Sequence, residues 1–170
     1  MRAQIFGLFT SLALTLIASS ASAQDKDVNL FLDGKPVLAF SLPSAPALKS
    51  TNGFLRITAT NLTLYVWAVP TAKTAADALP RLGQIITNEF VELQVTNKAD
   101  LVIANAPAKE VTGEGHEADD DDPGTADVVF FVVGGNVFAA CVHGEEDDAP
   151  KARPAMMAVL KTAHLPPKSP

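Results

Sequence analysis

The chain has 170 residues, a formal net charge of −6 and one cysteine. This length suits one domain behind a short leader, and the negative charge argues against binding to nucleic acid or to an anionic membrane surface. The lone Cys141 excludes an internal disulfide. Beyond the first residues, no apolar run is long enough to span a bilayer.

Residues 1–23 have the features of a secretory signal peptide. Arg2 provides the positive start, Ile5–Ile17 the apolar segment, and Ala21–Ala23 the A-x-A cleavage pattern. We therefore expect residues 24–170 to form a single α+β domain in the periplasm or outside the cell. An uncleaved anchor is the alternative, and the absence of a basic stop-transfer flank disfavours it.

Alternating apolar and polar residues predict strands in the first part of the mature chain. Asn29–Leu32 and Lys35–Leu42 follow this pattern on either side of an Asp-Gly turn. The residues Ser44–Asn52, rich in Pro, Ser and Ala, indicate a loop. The following sequence, FLRITATNLTLYVWAVP, predicts two antiparallel strands that turn near Asn61.

A helix is predicted next, and its boundaries depend on one proline. Thr74 and Asp77 form a start that resembles a capping box, and apolar residues at helical spacing continue to Phe90. Pro80 either kinks this helix or sets its true start, because proline lacks the backbone N–H. The alternating FVELQVT from Phe90 then predicts a half-exposed strand. Asp100–Ala104 and Ala108–Glu114 predict a further strand pair or one bent strand, broken at Pro107.

A near-apolar hairpin, DVVFFVVGGNVFAACV, occupies Asp127–Val142. A turn at its Gly-Gly pair places residues whose numbers sum to 269 opposite each other. Strands that are apolar on both faces are typical of a sheet covered on both sides. A last helix is predicted from Asp147 or Asp148, with Pro150 in its first turn. Its predicted buried face consists of Met156, Met157, Val159, Leu160 and Ala163. The order of elements predicts an α+β fold with helices on both faces of an antiparallel sheet.

Five features of this order can be compared with known folds. They are the F-S-L-P strand (Phe40–Pro43), the strand pair ending at Trp67, the helix near Ala75–Phe90, the Gly-Gly hairpin, and the final helix ending in V-L-K-T-A (Val159–Ala163). Together they resemble the PsbP-like fold, the α/β/α sandwich of the extrinsic photosystem II subunit PsbP. A eukaryotic Ran-binding nuclear import factor and small bacterial secreted proteins of unknown function share this fold.

The resemblance implies a helix-flanked sandwich and a non-enzymatic accessory or binding role. It assigns no functional residue, because no binding motif of the family is present in this chain. Fold alone also does not determine function.

Carboxylates are concentrated in Glu110–Asp148, which holds twelve of the nineteen and no Lys or Arg. The hairpin register would bring two acidic runs, ADDDDPG and GEEDD, to the same open end. Carboxylates at such a short distance repel each other, so water, a cation or a basic partner must separate them. Ca²⁺ is a candidate because hard cations take several oxygen ligands. The candidate ligands are Glu117, Asp119, Asp120, Asp121, Asp122, Glu145 and Asp147, with Asp127 nearby.

The spacing of these acids differs from that of an EF-hand, since no D-x-D-x-D-G is followed by a Glu at the twelfth position. Four adjacent Asp residues also cannot all face one ion. The alternative is a solvated acidic loop, with Asp147 or Asp148 capping the last helix. No cofactor-binding motif is present.

A second candidate set consists of His116, Cys141 and His143. Cys141 and His143 lie two apart on a predicted strand and so share a face. A thiolate with two imidazoles suits zinc or copper, yet no C-x-x-C or H-x-x-x-H spacing supports such a site. The alternative is a buried cysteine that packs as a small hydrophobe, with His143 ending the strand.

Two functional hypotheses follow. The first is a secreted or periplasmic, non-enzymatic binding domain whose acidic loops bind a cation or a protein partner. The second is a metal-assisted hydrolase or other enzyme that uses His116, His143 and nearby carboxylates. A pocket containing both histidines would favour the enzyme, whereas carboxylates exposed around a filled core would favour binding.

Overall fold

A computed structural model of the chain describes residues 26–42, 46–51, 54–86, 90–118, 122–145 and 147–167. The predicted signal peptide lies outside these residues. In the described part, no helix is long and apolar enough to cross a membrane. The strands are β1 (Lys26–Leu32), β2 (Lys35–Leu42), β3 (Ala47–Thr51), β4 (Phe54–Ala59), β5 (Leu62–Ala68), β6 (Phe90–Ile103), β7 (Ala106–Glu117), β8 (Pro123–Val133) and β9 (Asn136–Gly144).

The main element is a seven-stranded sheet in the order β3-β4-β5-β9-β8-β7-β6, with every neighbouring pair antiparallel. All neighbours except β5 and β9 are consecutive along the chain. The sheet therefore consists of two meanders joined along one seam. Strands β1 and β2 form a separate antiparallel hairpin.

One face of the large sheet is covered by helix α3 (Asp148–Leu160) and by the β1–β2 hairpin. Met156 and Leu160 of the helix are fully buried in the same cluster as Phe40 of the hairpin and Phe131 of the sheet. The helix end is fixed to the hairpin because Ala39 and His164 exchange two backbone hydrogen bonds of 2.9 Å. The predicted buried face of the last helix is confirmed at Met156.

The opposite face is covered by short helical turns. They are α1 (Ala75–Ala78), a 3-10 turn (Leu79–Arg81) and α2 (Leu82–Ile86). Ile86, Trp67 and Phe130 are buried in the cluster beneath them. The predicted capping box is confirmed: the Asp77 backbone N–H donates to the Thr74 hydroxyl, and the Thr74 backbone N–H donates to the Asp77 carboxylate.

The predicted α/β/α sandwich with helices on both faces is wrong. The described chain is mostly antiparallel sheet, and it is α+β only in the broad sense. The helix predicted from Thr74 is interrupted at Pro80, one of the two outcomes that the sequence left open: Pro80 cannot donate a backbone N–H, the chain tightens there into a 3-10 turn, and α2 follows. The loop predicted for Ser44–Asn52 is also wrong in part, since Ala47–Thr51 forms edge strand β3.

The predicted register of the Gly-Gly hairpin is confirmed. Every β8–β9 pair from Val133 with Asn136 to Thr125 with Gly144 sums to 269. Both turn glycines have positive φ, +58° at Gly134 and +82° at Gly135, which suits a tight hairpin turn. Because the register holds along the whole hairpin, the acidic segments that flank it are brought to one end of the sheet.

Candidate functional site

Acidic side chains from four parts of the chain meet at one end of the sheet. The start of β6 pairs with the end of β7, the end of β7 with the start of β8, and the start of β8 with the end of β9. Helix α3 begins shortly after β9 at the same end. We call this end of the molecule the acidic end. Its described acidic residues are Glu92, Glu114, Glu117, Asp122, Glu145, Asp147 and Asp148. His116 and His143 lie among them, and Lys151 pairs with Asp147.

A hollow of about 400 Å³ opens at the acidic end. Three ionisable side chains line it, namely Glu92, Glu114 and His116, together with Gln94 and Thr125. Among the described lining residues there is no Lys or Arg. The hollow is therefore a polar, negatively charged surface that suits a positively charged group.

Glu92 reaches this hollow from an irregular part of β6. The pairing of β6 with β7 shifts between Val91 and Gln94, so Glu92 lies in a β-bulge, and its φ is +53°. A positive φ is uncommon for a residue with a side chain. Bulges commonly redirect a side chain beside a functional site, and this one places a second carboxylate next to Glu114.

Tight packing around Phe90 holds the backbone of the acidic end. A Cβ added at Gly115 would lie 2.5 Å from the Val91 carbonyl oxygen and 2.6 Å from the Phe90 ring. A Cβ at Gly124 would lie 2.5 Å from the Gly144 carbonyl oxygen. These glycines therefore permit a close approach of neighbouring strands.

The predicted cation ligands are only partly brought together. The Glu117 backbone N–H donates to the Asp122 carbonyl oxygen at 2.9 Å, which joins the end of β7 to the start of β8. Asp122, Glu145 and Asp147 are exposed, and Asp147 forms an ion pair with Lys151 at 3.6 Å. Asp119, Asp120 and Asp121 lie outside the described residues. Within the described residues, no group of three or more His, Cys, Asp or Glu side chains is arranged to hold a metal ion.

Glu117 contacts a histidine. Its Oε1 atom lies 3.0 Å from Nδ1 of His143, and the exposed fractions of the two side chains are 21% and 9%. The His143 ring also lies against Tyr65, with a centroid distance of 4.7 Å, and near Phe90 at 6.0 Å. This pair connects the end of β7 to the end of β9.

The second candidate set is divided between the two faces of the sheet. Cys141 and His143 share a face, as predicted, and Cys141 is fully buried in the cluster beneath the short helical turns. Side chains alternate along a strand, so His116 lies on the face of Glu110, whereas Glu117 lies on the opposite face. His116 lines the hollow and His143 does not. The three residues predicted as a metal set are therefore not brought together.

A second polar cluster lies under α3. Arg153 donates two hydrogen bonds to Glu110, from Nε to Oε1 at 2.6 Å and from Nη2 to Oε2 at 2.8 Å. Glu110 is only 4% exposed, and the neighbouring Asp127 is 1% exposed and accepts a hydrogen bond from the Thr112 hydroxyl. Asp127 was a possible cation ligand from its sequence context, but it lies inside the fold.

The charges in this buried cluster affect one another. Burial raises the pKa of Asp127, and the nearby Glu110 carboxylate raises it further, while the Thr112 hydrogen bond and the Arg153 charge lower it. The hydrogen bonds to Glu110 raise the pKa of the Arg153 guanidinium. The cluster therefore fixes α3 to β7.

Sequence reasoning missed Glu110 and Arg153, although a signal for them exists. Arg153 falls on the helical stripe formed by Ala149, Met156 and Leu160, all of which are fully buried. A basic residue on an otherwise apolar stripe indicates an acidic partner beneath it, because a buried charge must be paired.

Comparisons with known proteins give a similarity of fold. No family model and no curated protein matches the sequence. Among solved structures, the chain is similar to PA94, a protein of unknown function from Pseudomonas aeruginosa, with 13% identity, a TM-score of 0.48, and coverage of 87% of this chain and 100% of that one. It is also similar to the cyanobacterial PsbP of Synechocystis sp. PCC 6803, with 13% identity, a TM-score of 0.48, and coverage of 96% and 98%. A PsbP structure is thus among the proteins that this chain resembles, and a likeness at this level assigns no function.

Proposed function

We propose that this chain is an exported, non-enzymatic binding domain whose acidic end docks a basic segment of a partner protein. One observation carries the proposal: the hollow at the acidic end is lined by Glu92, Glu114 and His116 and by no described basic residue. Complementary charge at an interface accelerates association and selects partners. The tightly packed backbone around Phe90 supports this role because it holds the carboxylates in place before a partner arrives.

The geometry disfavours the enzyme hypothesis. That hypothesis needs His116 and His143 in one pocket, and the hollow contains only His116. His143 instead lies between Tyr65 and Phe90, with its Nδ1 atom directed at Glu117.

The docking proposal can be tested with an eight-residue lysine peptide as the probe. We expect saturable binding that weakens as salt is added, since exposed charges are screened. The double substitution Glu92→Gln/Glu114→Gln should weaken this binding about tenfold, because each lost surface ion pair contributes up to ~1 kcal/mol. Binding can be measured by fluorescence anisotropy of a labelled peptide.

A matched control removes the same charge elsewhere. Asp33 lies in the β1–β2 turn and Asp100 near the far end of β6, so Asp33→Asn/Asp100→Asn changes the net charge equally. We expect less than a twofold effect from this control. Equal weakening by both double variants would mean that the peptide senses only net charge, and the proposal would be rejected.

Binding of Ca²⁺ at the acidic end is the competing hypothesis. The melting temperature of the metal-stripped protein can be recorded with and without Ca²⁺, and then for a variant with residues 119–122 changed to Asn. A saturable rise that the variant loses would assign the acidic end to a cation instead of a basic partner. Export is tested separately by the mass of the mature protein, which should begin at Gln24.

A further inference from the structure

A second concave site lies on the face of the sheet that carries α3, and it shares no lining residue with the hollow at the acidic end. It is a cleft of about 660 Å³ between α3, the end of β2 and the turn that joins β4 to β5. This volume falls within the range of roughly 300–1,000 Å³ that is usual for small-molecule sites. Nothing in the proposed function uses this cleft.

The walls of the cleft are aliphatic. Leu42, Leu62 and Val159 line it and belong to the main hydrophobic cluster, so they connect the cleft to the core. Ala155 and Ala158 of α3 complete the helix side. No aromatic ring and no ionisable side chain is among the described lining residues.

The polar groups at the cleft differ in how they are used by the fold. The Ser41 hydroxyl donates to Asp27 at 2.7 Å, and the Thr162 hydroxyl donates to the Val159 carbonyl oxygen at 2.7 Å. Thr60 and Asn61, in the exposed β4–β5 turn, also line the cleft. A ligand would therefore meet aliphatic walls and a neutral hydroxyl and amide at this turn.

Charge distinguishes between ligand classes at this site. An anionic head group would find no described basic side chain in the lining, and the Asp27 carboxylate bonded to Ser41 would repel it. A neutral head group meets no charge repulsion here, and it can form hydrogen bonds with the Asn61 amide, which both donates and accepts. The lining is therefore complementary to an uncharged ligand.

We infer that this cleft binds a single alkyl chain carrying an uncharged, hydrogen-bonding head group. The chain would lie between α3 and Leu62, and the head group would face Thr60 and Asn61. Affinity should then depend on the length of the chain, because each buried methylene contributes a nearly constant increment, equivalent to about fourfold in affinity.

The test uses 1-octanol, 1-decanol and 1-dodecanol as probes, each titrated into the mature protein below its solubility limit. Binding is followed by calorimetry and by amide chemical-shift changes in NMR spectra. We expect one saturable site, shifts centred on Ala155, Ala158 and Asn61, and affinity that rises about fourfold per methylene. Dodecanoate should bind at least tenfold more weakly than 1-dodecanol, because the Asp27 carboxylate repels its head group.

A substitution that fills the cleft tests whether the alcohol binds there. Ala158→Leu adds a side chain at an exposed position that lines the cleft and should weaken 1-dodecanol binding at least tenfold. Ala76→Leu, at an exposed position in α1 on the opposite face, is the matched control and should bind as the parent does. Ala155→Leu replaces Ala158→Leu if a thermal melt shows that the first variant is unfolded.

Three results would overturn the inference. They are the absence of saturable alcohol binding, affinity that does not depend on chain length, and equal affinity for dodecanoate and 1-dodecanol. Unchanged binding by a folded Ala158→Leu variant would place the alcohol elsewhere and would also overturn it.

Discussion

Two glutamates on strand β7 show how depth changes the role of the same side chain. Glu110 and Glu114 lie four residues apart on one face of the strand. Glu110 is buried under α3 and accepts two hydrogen bonds from Arg153, whereas Glu114 is exposed and lines the hollow at the acidic end. The inner carboxylate holds the fold together, and the outer one is available to a partner.

The comparison has a physical basis in solvation. A buried carboxylate is costly unless hydrogen bonds and an opposite charge compensate for lost water, so its partners cannot be removed without a large penalty. An exposed carboxylate keeps its water, and its ion pairs contribute little to stability. Substitutions at the two depths should therefore differ several-fold in their effect on the free energy of unfolding.

The largest effect is expected from Arg153→Met, which leaves Glu110 buried without its partner. The loss should be about 2–3 kcal/mol in the free energy of unfolding, at the low end of the usual range because the Arg153 side chain is 42% exposed. Urea unfolding measures it. The double variant Glu110→Leu/Arg153→Met should recover at least half of the loss, and a single-variant loss below ~1 kcal/mol would show that the pair is not structurally important.

A slightly smaller effect is expected at Gly115, beneath the acidic end. Gly115→Ala places a Cβ against the Val91 carbonyl oxygen and the Phe90 ring and should cost about 2 kcal/mol through overpacking. Gly83→Ala in α2 is the control, because an added Cβ there meets nothing within 4 Å. The control should be neutral or stabilising by up to ~1 kcal/mol, and thermal melts of both variants compare them.

Asp127 should give a smaller, pH-dependent effect. Burial raises its pKa in the folded state, so the folded protein binds a proton more readily than the unfolded chain. The buried charge therefore lowers the free energy of unfolding at any pH above the folded-state pKa. This loss of stability disappears as the pH falls through that pKa toward the ordinary value of 3.8. Asp127→Asn should therefore be more stable than the parent at pH 7 and should lose this advantage in acid. Urea unfolding across pH 3–8 tests this, and an advantage that does not change with pH would contradict it.

The smallest effect is expected at Asp147. Its side chain is 79% exposed, its ion pair with Lys151 is 3.6 Å long, and it makes no side-chain cap hydrogen bond to α3. Asp147→Asn should therefore change the free energy of unfolding by no more than about 0.5 kcal/mol. A loss above ~1 kcal/mol in urea unfolding would mean that the exposed acids also stabilise the fold, and the contrast with Glu110 would fail.

Local pattern was sufficient to predict much of the fold. Strand β2 matches its predicted bounds, Lys35–Leu42, and the Gly-Gly hairpin matches its predicted register. Both depend on alternation and turn chemistry, which are properties of short segments. The capping box at Thr74 is local in the same sense, and it too is confirmed.

Features that depend on distant residues could not be predicted in the same way. The residues around Arg153 in the sequence do not indicate Glu110 as its partner. Glu110 lies 43 residues away, and the two side chains meet only after α3 packs on the sheet. The placement of His116 and His143 on opposite faces required the full β7-β8-β9 register. The helix predicted from Thr74 is divided by a 3-10 turn at Pro80, and its predicted last residue, Phe90, instead starts strand β6.

The single seam between β5 and β9 has a consequence for how the chain folds. Each meander can form from neighbouring strands, but the seam joins Ala68 to Phe138, which are separated by seventy positions. Such a contact requires a long loop to close before it gains any stabilising energy, and closure of this kind slows folding. We expect the two meanders to form early and their docking along the seam to limit the rate, so substitutions in Val66 or Ala140 should slow folding more than those at the ends of the sheet.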